Sequence, residues 1–230
     1  MRFFCICLCA VFMWAYCGSW AAFAAPAADP VVANVESNYK NLTSLRAEFS
    51  QVLLHKESGG KEERKGILAF QKPLLVRWET TSPSQELLVV TATEIWNVFP
   101  EENKAYKYPP HLADDSKSIV RVVTGQSRLM EDFLVERKAA QDKEGLTELA
   151  LFPKEPSQSM VELGLWVQTA TGMIQRLRIV DFYGNENVIA FTSLQRNPKF
   201  AGSSFIYTPA GNMTVEDRTR SGGPEKPLMQ

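Results

Sequence analysis

The residues that could do chemistry are few. His55 and His111 are the two histidines. Both stand in polar, turn-like company, and neither has a further ligand type at metal spacing, so both read as surface residues. Glu101-Glu102 and Asp114-Asp115 are carboxylate pairs, but neighbours in a turn are ordinarily solvated rather than set against each other for acid and base work. No Gly-x-Ser-x-Gly elbow, phosphate loop or dinucleotide fingerprint occurs. The pattern assigns no catalytic residue, no metal ligand and no cofactor. A secreted hydrolase using strand-borne carboxylates is the enzyme alternative, with no motif behind it. Asn41-Leu42-Thr43 and Asn212-Met213-Thr214 fit a glycosylation pattern that carries meaning only with the matching secretory machinery.

A lysine in apolar company is more informative. If the segments on either side of Pro73 are strands in one register, one face of Gly66 to Trp78 carries Leu68, Phe70, Lys72, Leu74, Val76 and Trp78. The other face carries Ile67, Ala69, Gln71, Leu75, Arg77 and, just beyond, Glu79. Desolvating an unpaired ammonium is expensive, so Lys72 marks a rim or a polar latch. The alternative is that Pro73 resets the register at a bulge and leaves Lys72 in solvent.

The ends of the chain bound the rest. Residues 1–24 read as a cleaved secretory signal: Arg2 supplies the positive start, Phe3 to Trp20 are almost wholly apolar, and Ala22-Phe23-Ala24 is a small-x-small cleavage site. The four cysteines, Cys5, Cys7, Cys9 and Cys17, all fall inside it, which leaves none to pair or bind metal in a chain starting at Ala25. Tyr16, bulky where a small residue is expected, argues against Cys17 as a lipid-attachment site. The remaining chain is nearly neutral with no basic block, which argues against nucleic-acid binding. Residues 25–215 are expected to form one domain, and 216–230 a flexible tail.

Along that domain, Asp29-Pro30 caps an amphipathic helix carrying Val32, Val35, Tyr39 and Leu42. A strand follows in which Leu45, Ala47, Phe49, Gln51 and Leu53 share a face. The run from Glu57 to Lys65 is expected to turn into the Gly66 segment, and Leu87–Val90, Ile95–Phe99 and Lys104–Tyr108 are expected strands. Ser116 is positioned to cap a short helix with Ile119, Val120, Val122 and Val123, and Ser127 another with Leu129, Met130 and Phe133. From Phe133 to Val215 strands and breaks alternate in the rhythm of a meander, with Phe205 to Tyr207 as its last strand. The class is mainly β with helices (α+β): a bent antiparallel sheet or incomplete barrel of about 10–11 strands with helices over its mouth. Trp96 with Val98, Val161 with Leu163, Leu165 and Val167, and Ile189 with Phe191 are candidate inner rows. Each could fill an ordinary core; together they could line an apolar cavity, and a binding module is favoured over an enzyme.

The order of these segments resembles the periplasmic outer-membrane lipoprotein carrier family, LolA. The resemblance rests on Tyr39 to Gln51, the Lys72-Pro73 to Arg77-Trp78 stretch, Pro83 to Trp96, and the ending Phe205-Ile-Tyr-Thr-Pro-Ala-Gly-Asn-Met-Thr-Val, over essentially the whole of the chain after the signal. It implies a periplasmic, monomeric carrier with an incomplete barrel and a helical lid. The carrier would receive lipoproteins from an inner-membrane ATP-driven ABC transporter and pass them to an outer-membrane acceptor. The acyl-chain cavity would be lined by Phe49, Phe70, Leu74, Val76, Trp78, Trp96, Val98, Ile119, Val122 and Val123. Lys72 matches the family's lid-binding arginine, and a lysine lacks the guanidinium fork that would hold several carbonyls. Val76 matches a bulkier residue implicated in transporter contact. An outer-membrane acceptor of the LolB kind and a periplasmic lipid-binding sensor are the alternatives the resemblance leaves open.

Overall fold

The computed structural model describes residues 29–113, 119–141 and 144–219. The signal segment, Asp114-Asp115, the Ser116 cap and the chain beyond residue 219 lie outside the described residues. Helix α1 (Pro30–Asn41) starts as expected: the Asp29 carboxylate accepts from the Val31 N–H, with proline in the first turn. Its buried stripe is Val31, Val32, Val35, Asn38 and Tyr39.

Eleven strands follow in an antiparallel arrangement. They are β1 (Ser44–Leu54), β2 (Lys61–Gln71), β3 (Leu75–Ser82), β4 (Glu86–Val90), β5 (Ile95–Phe99), β6 (Lys104–Tyr108), β7 (Phe133–Gln141), β8 (Thr147–Pro153), β9 (Glu162–Gln168), β10 (Met173–Val180) and β11 (Glu186–Arg196). A final short strand, β12 (Thr214–Asp217), lies parallel to β6. Between β6 and β7 sit the helices α2 (Ile119–Val123) and α3 (Leu129–Asp132). The strand order is β12-β6-β5-β4-β3-β2-β1-β11-β10-β9-β8-β7, one sheet of 12 strands. Two meanders thus meet where β1 pairs with β11, and β7 and β12 stand at opposite edges with the sheet unclosed between them.

The alternation in β1 is as expected, with Leu45, Ala47, Phe49, Gln51 and Leu53 buried between exposed Arg46, Glu48 and Ser50. The Gly66 to Trp78 stretch is a hairpin rather than one strand. Phe70 stands opposite Val76 and Leu68 opposite Trp78, so the apolar residues of its two halves share a face. Several local expectations are corrected. Lys61 to Lys65 extend β2, because their backbone pairs with β1 although their side chains are polar. Arg128, not Ser127, caps α3, and its N–H is taken by the Asp132 carboxylate four residues on. Phe205 closes a 3-10 turn (Gly202–Phe205) instead of opening a strand. Glu216 and Asp217 belong to β12, so the sheet runs past residue 215.

The main core lies on the concave face, and a smaller one on the convex face of β4 to β6. Gly66 is fixed by close approach: a Cβ there would stand 1.9 Å from the Glu79 carbonyl oxygen and 2.8 Å from the Phe49 ring. The register between β2 and β3 shifts at this residue. Gly66→Ala is expected to destabilise the fold by about 1–3 kcal/mol through overpacking, lowering the thermal midpoint by several degrees in circular-dichroism melts. An unchanged midpoint would show that β3 can shift away freely.

Candidate functional site

The concave face carries Leu68 and Phe70 from β2, Val76 and Trp78 from β3, Leu88 and Val90 from β4 and Ile95 from β5, all fully buried. Across the β1–β11 junction it continues through Leu149, Leu151, Leu163, Leu165, Val167, Leu177 and Ile189. Phe49 joins the two halves, its ring 5.0 Å from that of Trp78. Val31, Val32, Val35 and Tyr39 of α1 and Ile119, Val120, Val122 and Val123 of α2 belong to the same buried cluster. Leu74 lies in the β2–β3 turn, half-buried against it.

The face is not apolar throughout. Toward the β1–β2 turn, the β1–β5 half carries Gln51, Arg64, Thr80, Glu86 and Asn97 on the concave side, with Arg64 Nη1 3.5 Å from Glu86 Oε2. Gln51 Nε2 donates to Asn187 Oδ1 at 2.9 Å. From the β2–β3 turn to Thr80 the apolar depth along β3 is about five residues, or roughly 17 Å.

The helices are held at the β2–β3 turn. Lys72 Nζ donates to the carbonyl oxygens of Tyr39, at 2.5 Å, and Lys40, at 3.0 Å, at the C-terminal end of α1. Unpaired carbonyls at a helix end are favourable acceptors for a cation. Burial holds the Lys72 ammonium below the ordinary lysine value. On the same turn, Gln126 Nε2 donates to the Pro73 carbonyl at 2.6 Å, which attaches the segment just after α2. Between the two attachments lies Gly125, with φ +67°, where a Cβ would come within 2.3 Å of the Tyr39 side chain. Tyr39 is buried, and desolvation pushes its phenol above the ordinary tyrosine value, with a backbone hydrogen bond to Ile174 acting the other way. Asn38 ties α1 to the other half of the sheet: its amide donates to Met173 Sδ and its carbonyl oxygen accepts from Arg196 Nη2.

Of the expected lining, Phe49, Phe70, Val76, Trp78, Ile119, Val122 and Val123 lie in one buried cluster. Trp96 and Val98 do not. They face the opposite side of the sheet, in a separate core with Leu87, Val89 and Ala105 covered by Tyr207 and Met213. Every residue from Leu87 to Val90 is buried, so β4 is covered on both faces, and alternation could not say which face is concave. Lys72 grips α1 rather than the 119–123 helix, because the end of α1 brings its free carbonyls to the turn while α2 reaches the turn through Gln126. Val76 is wholly buried and presents no surface to a partner in this conformation. Nothing in the sequence pattern marks Gln126 or Tyr39 as part of the attachment, and a glycine at position 125 signals only the end of a helix. Among the described residues no group of three or more His, Cys, Asp or Glu side chains is placed to hold a metal ion, and no helix is long and apolar enough to cross a membrane.

Residues 40–208 match the family model of the outer membrane lipoprotein carrier protein LolA. An outer-membrane lipoprotein carrier protein of Xylella fastidiosa is 27% identical over 195 residues, covering 85% of this chain and 91% of that protein. One of Xanthomonas campestris pv. campestris is 27% identical over 198 residues, covering 85% and 92%. Among solved structures, an uncharacterised conserved protein from Thermus thermophilus superposes with a TM-score of 0.55 at 16% identity, covering 82% of this chain and 97% of the other, a likeness of fold.

The hold of Lys72 and the packing of Gly125 on Tyr39 can be tested separately. Lys72→Met should cost only about 1 kcal/mol in global stability, since the ammonium is partly solvated, while amide exchange at Asn41 and Leu42 quickens. Gly125→Ala adds a side chain in a left-handed backbone and against Tyr39; about 2–4 kcal/mol of destabilisation is expected. It should also raise the binding of a dye that fluoresces on exposed apolar surface, and silent exchange and dye signals would remove both residues from the closure.

Proposed function

The chain belongs to the LolA family, and from that premise we propose that it carries lipoproteins across the periplasm with their acyl chains held against the concave face. The observation that supports this best is how that face is covered. A continuous apolar surface from Phe70, Val76 and Trp78 to Leu163 and Ile189 lies under helices of 12, 5 and 4 residues instead of a second sheet. Such short helices have little stability of their own and are held by the surface they cover.

Magnitudes set what the carrier needs from its partners. An acyl chain of about sixteen carbons gains roughly 0.8 kcal/mol per buried methylene, so two or three chains hold a lipoprotein in a bilayer by tens of kcal/mol. Unaided extraction at that cost is too slow to be useful. In the proposed cycle an inner-membrane ATP-driven ABC transporter supplies the work, the helices move off the concave face as the chains replace them, and an outer-membrane acceptor takes the cargo as they return. The modest hold of Lys72 and Gln126 suits this, because a strong latch would oppose loading. Val76 becomes available to the transporter only in the opened form.

The test adds purified chain starting at Ala25, which includes the whole described fold, to inner-membrane vesicles bearing a labelled lipoprotein. Label is expected to leave the vesicles in a one-to-one complex only when ATP and the protein are both present. Folded protein that releases no label would overturn the carrier role.

A further inference from the structure

The β10–β11 turn, at the opposite end of the strands from Lys72, displays two aromatic rings to solvent. Phe182 is 69% exposed and Tyr183 67%, and their rings meet edge to face at 5.5 Å. The turn is tightly built. Asp181 Oδ1 accepts from the N–H groups of Tyr183 and Asn185, both at 2.8 Å, and Oδ2 accepts from Asn185 Nδ2 at 2.8 Å. The Phe182 N–H donates to the Gln158 carbonyl, which ties the tip to the β8–β9 connection, and Asn185 Oδ1 accepts from the Lys56 N–H of the neighbouring β1–β2 turn. The rings are therefore displayed by a braced turn. Leu54, 36% exposed, ends the adjacent strand, and the Lys56 stem runs along Gly184, where a Cβ would lie 3.5 Å from its Cγ.

The size and chemistry of the tip decide what it fits. Phe and Tyr offer about 150–250 Å² each when fully buried, so two rings exposed by two thirds and one partly exposed leucine present roughly 300 Å². A stable protein partner or second copy needs about 800 Å² on each side. A bilayer interface has no such threshold, and an apolar ring beside a phenol suits the boundary between acyl chains and headgroups. Charge is secondary here: Lys56 is followed in the chain by Glu57, and Glu186, opposite Leu54 across the strands, adds a second acidic residue.

We infer that Phe182 and Tyr183 form a weak, reversible membrane-docking tip that inserts at the lipid interface and leaves the helices at the other end of the sheet facing away from the bilayer. Docking of this kind does not require bound cargo, so it stands or falls apart from the carrier reading.

The experiment is co-sedimentation of the chain starting at Ala25 with vesicles of phosphatidylcholine, alone or with phosphatidylglycerol. Binding to both is expected, with no gain on the anionic vesicles. Phe182→Ser with Tyr183→Ser should bind at least tenfold more weakly with an unchanged melting temperature, because both rings are exposed in the fold. Phe182→Trp should keep binding, and its added emission should move to the blue when vesicles are present. No binding by the unsubstituted chain, undiminished binding by the double variant, or an unmoved emission from the Phe182→Trp indole under saturating vesicles would each overturn the docking tip.

Discussion

The structure depends on the covering of one apolar face by elements that cannot stand alone. A sheet of 12 strands that closed on itself, or packed against a second sheet, would bury its inner side permanently. Here the edges β7 and β12 do not meet, and the concave side is finished by α1, α2 and α3. Four of the five residues of α2 are buried, so it has almost no polar side to turn to water. A five-residue helix is far below the length that is stable in isolation, so its stability is the burial itself. Anything that competes for the concave face competes directly with what keeps α2 folded, and that coupling needs no separate switch.

The attachment of those helices gathers on one turn. Lys72 and Pro73 are adjacent, yet the ammonium of the first holds the end of α1 and the carbonyl of the second holds Gln126. Tyr39, whose carbonyl accepts from Lys72, also places its side chain against Gly125. The two covers therefore share an anchor and a contact, and displacing one disturbs the seat of the other. A lysine makes this a soft anchor. Its charge is a point on a flexible stem, its hydrogen bonds go to two carbonyls of a helix end, and desolvation already works against its charged form. A guanidinium in its place would spread more donors across the same carbonyls and bind them more rigidly.

Much of the fold could be read from alternation, and the failures have a shared cause. In β1 a polar residue follows almost every apolar one, so one face was plain. The hairpin from Gly66 to Trp78 was legible for a subtler reason: reversal through a three-residue turn kept Phe70 opposite Val76, so parity counted along the chain agreed with parity across the strands. In β4 and β5 the signal was lost, because a strand buried on both sides has no polar face to mark the outside. Nothing local to Trp96 records that Tyr207, more than a hundred positions later, packs its ring 5.4 Å away. The partner of Lys72 was hidden in the same way. Its apolar company showed that it would need a partner, but only the path of α1 decides that the partner is the end of that helix.

The convex core gives the outer strands packing that does not depend on the inner cover. β4, β5 and β6 lie near one edge, where a strand losing its inner packing would be the most exposed to fraying. On their outer side Trp96 meets the tilted ring of Tyr207 and is approached by Lys107, which also pairs with Glu94 at 2.9 Å. Beyond them β12 extends the sheet by a short strand, and on the concave side Arg218, just past its end, lies over the rings of Tyr106 and Tyr108 and donates to the Tyr108 hydroxyl. The convex contacts involve neither α1 nor α2, whereas Tyr108 belongs to the main core with both. β4, β5 and β6 are thus packed from behind by a core that draws nothing from α1 or α2, so part of the energy that keeps these strands together is separate from the energy that covers the concave face.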